Sequence, residues 1–253
     1  MAISNPMRAS VADCRLPIAD FSYIDAWAFD LDNTLYPADC NLFREIDARM
    51  TAYIETHIGI APDHARRLQK DLYVRHGTTL AGLMNEHAVD PEDFLAFVHD
   101  IDLSVVAPNP LLGERICALP GRKFVFTNGS TGHAERVMAR LGVGHAFDAV
   151  FDIKAADWRP KPLRETYDRF LAHCAIAPKR AAMFDDIAQN LAAAYALGMT
   201  TVLVASAAAW VADEPAEKRP ALPGDRHAHV HHVTDDLTAF IGALVAARQP
   251  ATA

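Results

Sequence analysis

The feature that most constrains how this chain can fold is an alternation. Short apolar, β-rich runs recur at Trp27 to Leu31, Lys123 to Thr127, Ala149 to Ile153, Ala181 to Phe184 and Thr200 to Ala205, and most are separated by helical patterns. Strands reached through helices are not hairpin partners, so the pattern predicts βαβ units. The expected fold is α/β, a doubly wound parallel sheet with a Rossmann-like core and helices on both faces. An apolar fraction of 51% suffices to cover both faces of such a sheet. Ligands gather at the carboxyl ends of its strands, which is where Asp30, Thr127 and Asp185 fall.

Between the first and second runs lies an interval of roughly ninety residues without a strand signal, several times a usual connection. Its own signals are helical. Leu42, Ile46, Met50, Ile54 and Ile58 follow i, i+4 spacing; Pro62 suits a helix start; and Asp90-Pro91-Glu92-Asp93 caps a run containing Phe94, Phe97, Val98 and Ile101. Four short helices from about Leu42 to Asp102 are expected, forming an inserted α-helical cap domain. Pro108 and Pro110 mark the return to the core. The division is 1–40 and 108–253 for the core and 41–107 for the insertion. Towards the end, Glu214 to Arg226 reads as an exposed loop and Leu237 to Ala247 as a closing amphipathic helix. His227-Ala228-His229-Val230-His231-His232 alternates like a solvent-facing edge strand and is assigned no function.

The net charge of −8, with no Lys/Arg cluster, argues against a nucleic-acid polymer or an anionic membrane as partner. Cys14, Cys40, Cys117 and Cys174 are far apart with no C-x-x-C pairing, so they read as reduced thiols. Residues 1–20 lack a signal-peptide core and no apolar stretch is long enough to span a bilayer. A soluble cytoplasmic protein acting on a small molecule is expected.

Four polar motifs close the predicted strands. Asp30 and Asp32, in Ala28-Phe29-Asp30-Leu31-Asp32-Asn33-Thr34-Leu35-Tyr36, share the period-two face of a strand, where neighbouring buried carboxylates need a cation or a shared proton. Alone, the pair also fits a solvated strand end with a helix N-cap. Thr127-Asn128-Gly129-Ser130 brings a hydroxyl and backbone N–H groups to a strand-to-helix turn, a cradle for phosphate or an ordinary N-cap made by Ser130 or Thr131. Lys161, between Pro160 and Pro162, sits on a stiff segment that suits a fixed charge aimed at an anion; alone it is an ordinary loop lysine. Asp185-Asp186 ends another run ahead of Asn190, and all-oxygen donors without His or Cys point to Mg²⁺.

Together these residues resemble the haloacid dehalogenase-like hydrolase superfamily, whose motifs are a D-x-D-x-T segment, a Thr or Ser, a Lys and an acidic pair. Within it the chain is similar to the pyrimidine 5′-nucleotidase branch, through FDLDNTLYP, YVRHGTTLAGL, FVHDID, FTNGSTGHAERV and FDDIAQN. The interval between the first two motifs matches that superfamily's helical cap of the first type. Two departures occur: Lys161-Pro162 lacks a following proline, and Ile187 stands where Ser is common. Neither removes a reacting group.

The resemblance implies that Asp30 is a nucleophile forming an aspartyl-phosphate, and that Asp32 is general acid and then general base. It implies Mg²⁺ on Asp30, Asp186 and the main-chain carbonyl of Asp32, with Asp185 in support. Thr127 and Lys161 would hold phosphoryl oxygens, helped by backbone groups of Asn33 and Asn128. The implied substrate is a phosphomonoester, a nucleoside monophosphate above all. Base recognition would fall to Tyr36, Tyr73, His76, Thr78, Thr79 and His99, with Tyr73 and His99 equally suited to core packing. His133 would stand near the phosphate. Hinges for cap motion would lie near Tyr36 to Asn41 and Ala107 to Pro110.

Overall fold

The computed structural model describes residues 21–215 and 218–248, so the readings of the first twenty residues, Cys14 included, lie outside the described residues. Six strands form one sheet: β1 (Ala26–Phe29), β2 (Arg122–Phe126), β3 (Ala149–Phe151), β4 (Ala181–Asp185), β5 (Thr200–Val204) and β6 (His232–Thr234). The order is β3-β2-β1-β4-β5-β6 and every neighbouring pair is parallel. The first five follow the apolar runs. Crossovers are made by α5 (Pro110–Cys117), α6 (Thr131–Leu141), α7 (Arg164–His173) and α8 (Ala188–Ala196), and α9 (Leu237–Arg248) closes the chain.

Alternation along the central strands explains the two layers. Trp27 and Phe29 of β1 point to the face covered by α5, α6 and α9, where Phe29 stacks on Phe184 at 4.5 Å and Phe240 packs edge-on against Phe184. Ala26 and Ala28 point the other way, and their small size admits Tyr167 and Phe170 of α7, with Phe170 stacked on Phe126 at 4.5 Å. Each large side chain so buried contributes about 1.5–3 kcal/mol. Gly121, at φ +80°, turns the chain into β2 where a Cβ would lie 2.0 Å from the Asp25 carbonyl oxygen.

Between β1 and β2 stand α1 (Leu42–Ile54), α2 (Pro62–His76), α3 (Thr79–His87) and α4 (Pro91–Val98), the four expected helices. Pro62 and Pro91 occupy first turns, and Asp90 accepts from the Glu92 N–H at 2.8 Å. The i, i+4 stripe does not stay α-helical throughout: beyond Ile54 a π turn covers Glu55–Gly59. These helices have an apolar cluster of their own around Tyr53, Ile54, Leu72, Leu83, Phe94 and Val98. Gly82 lets α3 press on α2, since a Cβ there would meet Leu72 Cβ at 2.7 Å.

Two expectations need correction. Residues 227–231 form no strand; β6 begins at His232, whose ring is buried, 4.9 Å from Phe21 and 6.2 Å from Phe240 of α9. Nor is the 214–226 segment simply exposed. Glu214 is held by cations of α2, Lys218 lies over the Tyr73 ring at 5.6 Å, and Ala221 bridges to Ala205, so the loop is packed wherever its charges or small side chains find partners. The closing helix is as expected, burying Leu237, Phe240, Ile241 and Leu244. No helix among the described residues is long and apolar enough to cross a membrane.

Candidate active site

The four motifs converge at the carboxyl edge of β1, β2 and β4. Asp30 follows β1 and still donates its N–H to the Phe184 carbonyl at 2.9 Å, so the ladder fixes its backbone. Asp32 is not on the strand. It opens a turn in which Asn33 takes φ +59°, a conformation that asparagine tolerates better than most residues, and this turn rather than strand alternation brings Asp32 to the cleft.

Carboxylate oxygens of Asp30, Asp185 and Asp186 lie within 4.8 Å of one another, all buried. The Lys161 ammonium sits among them, donating to Asp30 Oδ1 at 2.6 Å, Asp185 Oδ2 at 2.7 Å and the Phe126 carbonyl at 2.9 Å. Asp185 is saturated, since its Oδ1 also accepts from the Ile187 N–H and the Asn190 side chain, each at 2.9 Å. Asp186 is not, and its buried Oδ2 has no hydrogen-bond partner among the described residues.

Three carboxylates share one ammonium, and their electrostatics reflect it. Burial raises Asp30 to about 7; Asp185 and Asp32 push the same way, and Lys161 offsets only part. Burial, then Asp30 and Asp185, hold Asp186 well above the usual carboxylate range. Lys161 is raised: burial alone would lower it, but Asp185 and Asp30 outweigh that. A buried, all-oxygen set with surplus negative charge and an orphaned carboxylate oxygen fits a hard divalent cation such as Mg²⁺.

Around this cluster, Asn33, Thr127, Asn128 and Lys161 line one cleft with Asp30, Asp32 and Asp186. Ser130 is the N-cap of α6, accepting from the His133 N–H at 3.3 Å, so Thr127 and Asn128 are not needed for that task. Thr127 Oγ1 instead accepts from the Gly129 N–H at 2.9 Å. The Asn128 side chain clamps the Lys161 backbone, accepting from its N–H at 2.8 Å and donating to its carbonyl at 3.3 Å. Asn33 Oδ1 and Thr34 Oγ1 are buried without a partner among the described residues.

Asp32 faces a second environment. Its Oδ1 accepts from the Tyr36 hydroxyl at 2.7 Å and from His133 Nε2 at 3.0 Å. Burial would raise it, but His133 outweighs burial, with help from Tyr36 and His99, and the carboxyl is lowered. The Tyr36 hydroxyl is itself driven well above its usual range by burial and by Asp32. The His99 ring stacks on His133 at 4.2 Å and burial holds it down at about 3, so His99 is neutral.

The expected substrate contacts divide. Tyr73, Thr78, Thr79 and His99 line the cleft, whereas Tyr36, His76 and His133 do not. Tyr36 and His133 are turned onto Asp32, and His76 pairs with Glu86 outside. The insertion supplies an apolar wall from Phe43, Ile46, Met50, Leu80, Phe94 and Val98. Sequence reasoning missed Asp47, Gln69, Lys70 and Glu214, which border the same cleft. Lys70 donates to Asp47 Oδ1 at 2.7 Å and Glu214 Oε2 at 2.6 Å. Asp47 and Lys70 had no motif, and Glu214 lies in a segment that reads as loop. The available signal was Asp47 on the inner side of an i, i+4 apolar stripe.

A profile of the family described as haloacid dehalogenase-like hydrolase matches residues 24–198. Among curated proteins, phosphate metabolism protein 8 of Saccharomyces cerevisiae is 28% identical over 134 residues, covering 48% of this chain and 41% of that protein. The match thus spans less than half of that relative. Among solved structures, the HAD phosphatase from Thermococcus onnurineus superposes with a TM-score of 0.56 at 17% identity, over 87% of this chain and 98% of that one. The L-2-haloacid dehalogenase from Xanthobacter autotrophicus gives 0.53 at 17%, over 89% and 100%. At these identities the likeness concerns the fold.

Proposed function

This chain belongs to the haloacid dehalogenase-like hydrolases, and from that membership and the geometry of its site we propose a Mg²⁺-dependent phosphomonoester hydrolase, specifically a pyrimidine 5′-nucleotidase working through an aspartyl-phosphate. The observation that carries the reading is Asp32, a carboxyl held by two donors on the same cleft as Asp30. A halide leaves without a proton; an alkoxide does not. An acid at this place is therefore suited to phosphate esters more than to haloacids.

In the proposed reaction an Asp30 oxygen attacks phosphorus in line, and the bond to the ester oxygen breaks as that oxygen takes a proton from Asp32. Asp32 then removes a proton from water, whose oxygen attacks the aspartyl-phosphate and releases inorganic phosphate and free Asp30. Thr127, Lys161 and the backbone N–H groups of Asn33 and Asn128 hold phosphoryl oxygens. Asp30, Asp186 and the Asp32 main-chain carbonyl, with Asp185 in support, would hold Mg²⁺, which would supply neutralisation of the negative charge gathered at the site. Residues 41–107 act as the cap. Its apolar wall suits a leaving group that carries a planar ring better than a polyol, and Tyr73, Thr78, Thr79 and His99 stand where a base would be read.

Phosphate release from UMP, CMP, dTMP, AMP, GMP, ribose 5-phosphate and phosphoglycolate, with Mg²⁺ and with EDTA, tests this. Turnover of the pyrimidine nucleotides well above the rest, lost with EDTA and reduced more than about 10³-fold by Asp30→Asn, is the expected outcome. Faster release from the two non-nucleotides would retain the chemistry and discard the nucleotidase. Binding without release would point to a mutase or a binding protein.

A further inference from the structure

Two buried side chains, Tyr36 and His133, hold the Asp32 carboxyl from behind the cleft. A carboxylic acid has two oxygens, and a general acid works only if the one carrying the proton is the one that meets the leaving group. In this chain the choice is built in. Both donors, the Tyr36 hydroxyl at 2.7 Å and His133 Nε2 at 3.0 Å, converge on Oδ1. Oδ2 receives no hydrogen bond among the described residues, and Asp32 is the part of this group that borders the cleft.

We propose that Tyr36 and His133 form a positioning dyad that pins Asp32 by Oδ1 and presents Oδ2 alone to the leaving-group oxygen. Neither residue is placed to touch substrate. Tyr36 is 1% exposed and the His133 side chain 0% exposed, and neither lines the cleft. Nor is His133 explained as ordinary core. Its Nδ1 is buried with no hydrogen-bond partner among the described residues, so the ring is held for the bond made by Nε2.

The ring's orientation is fixed from outside the core. His99, which follows α4 at the end of the inserted helices, stacks on His133 with planes 8° apart. It is anchored by Nδ1 to Ser130 Oγ at 3.0 Å and by a hydrogen bond from Arg136 to its carbonyl. Ser130 also caps the helix that carries His133. With the His99 that stacks on it, the dyad spans three segments: the turn after β1, the first turn of α6, and the end of the insertion. A tyrosine at position 36 and a histidine at position 133 look unrelated in sequence; they share only this carboxyl oxygen.

The inference rests on Asp32 being the general acid, and the experiment separates the two. The readout is kcat/KM for a series of phosphomonoesters, from UMP to 4-nitrophenyl phosphate, because it covers phosphoryl transfer to Asp30 and excludes the later hydrolysis common to all. A 4-nitrophenolate leaves without a proton, so a defect in proton delivery shows as a steeper dependence on the leaving group. Tyr36→Phe, His133→Leu, His133→Gln and Asp32→Asn are compared.

Expected for Tyr36→Phe and His133→Leu is a loss with UMP about tenfold to a hundredfold beyond any loss with 4-nitrophenyl phosphate. His133→Gln, whose amide nitrogen can take the place of Nε2, recovers most of the UMP rate. Asp32→Asn gives the steepest dependence. If Asp32→Asn steepens it and the dyad variants lower all esters equally or none, the dyad is overturned while the acid stands. If Asp32→Asn itself leaves the dependence unchanged, the reading of Asp32 falls and the dyad with it. Failure of Gln to recover what Leu loses also overturns the positioning role of His133.

Discussion

Two groups of charge border the cleft, one buried and one partly exposed, and they differ in balance as well. In the core, Asp30, Asp185 and Asp186 face the ammonium of Lys161, and one carboxylate oxygen has no hydrogen-bond partner among the described residues. Where the insertion meets the core, Asp47 and Glu214 face Lys70 and Arg66, two against two among the described residues, and Gln69 adds a further donor to Asp47 at 2.5 Å. A matched group has its desolvation offset by its own contacts and needs nothing more. The unmatched group is stable only with protons or a cation, which is the property a metal-assisted site requires. Balance and burial together separate a structural cluster from a chemical one in this fold.

The most severe way to press the comparison is Lys161→Met. It removes the only cation of the unmatched group and leaves three adjacent carboxylates. Loss of one partner from such a buried set costs about 3–5 kcal/mol. Urea unfolding in EDTA near pH 8 should show a loss of that order, smaller at pH 5 where protons take over the role of the ammonium. Phosphate release should fall by more than about 100-fold even with saturating Mg²⁺. A variant as stable as the parent at both pH values would mean that the three carboxylates do not depend on Lys161, and the contrast would fail.

Less drastic is titration of the unmatched group itself. Asp30 moves from an ordinary 3.8 to about 7, and Asp186 moves in the same direction. A carboxyl raised in the folded state adds stability that is fully present below its unfolded value and is lost as pH rises through the folded one. In EDTA the melting temperature should therefore fall between pH 5 and pH 8. Bound Mg²⁺ must displace those protons, so the rise in melting temperature that it produces should grow over the same interval, and calorimetry at pH 6 should detect proton release on binding. A Mg²⁺ effect independent of pH would remove the distinction between the two groups.

Legibility in sequence followed the same division. The core group can be read because Asp30 and Asp185, like the neighbouring Thr127, end apolar runs, and Lys161 stands between prolines. The insertion was found from length and helix signals, through Pro62, Pro91 and the 42-46-50-54 spacing. What could not be read were contacts between segments distant in sequence. Asp47 and Glu214 are 167 positions apart by their numbers and meet through Lys70 and Arg66. Tyr36 and His133 were noticed as polar groups near motifs, yet their role depends on which carboxyl oxygen they share. The turn that opens at Asp32 and carries the left-handed Asn33 gives no periodic signal at all.

The mildest test addresses the matched group. Lys70→Met removes one cation, but Arg66 still reaches both Asp47 and Glu214, and Lys70 is itself partly exposed. The expected loss is about 1–2 kcal/mol, between that of an exposed and a buried pair. Because Lys70 lies on α2 and Glu214 on the loop after β5, the same change loosens the seam between insertion and core. KM for the nucleotide should rise by about two- to fivefold with kcat little altered. The Mg²⁺-induced rise in melting temperature, which reports on the unmatched group, should not change. Pairing Lys70→Met with Glu214→Leu should recover part of the stability, since a seam without either charge has no stranded carboxylate. Were Lys70→Met to weaken Mg²⁺ binding as well, the two groups would be one electrostatic unit across the cleft, and Asp30 would sense the insertion through charge, as Asp32 senses it through the His99 stack.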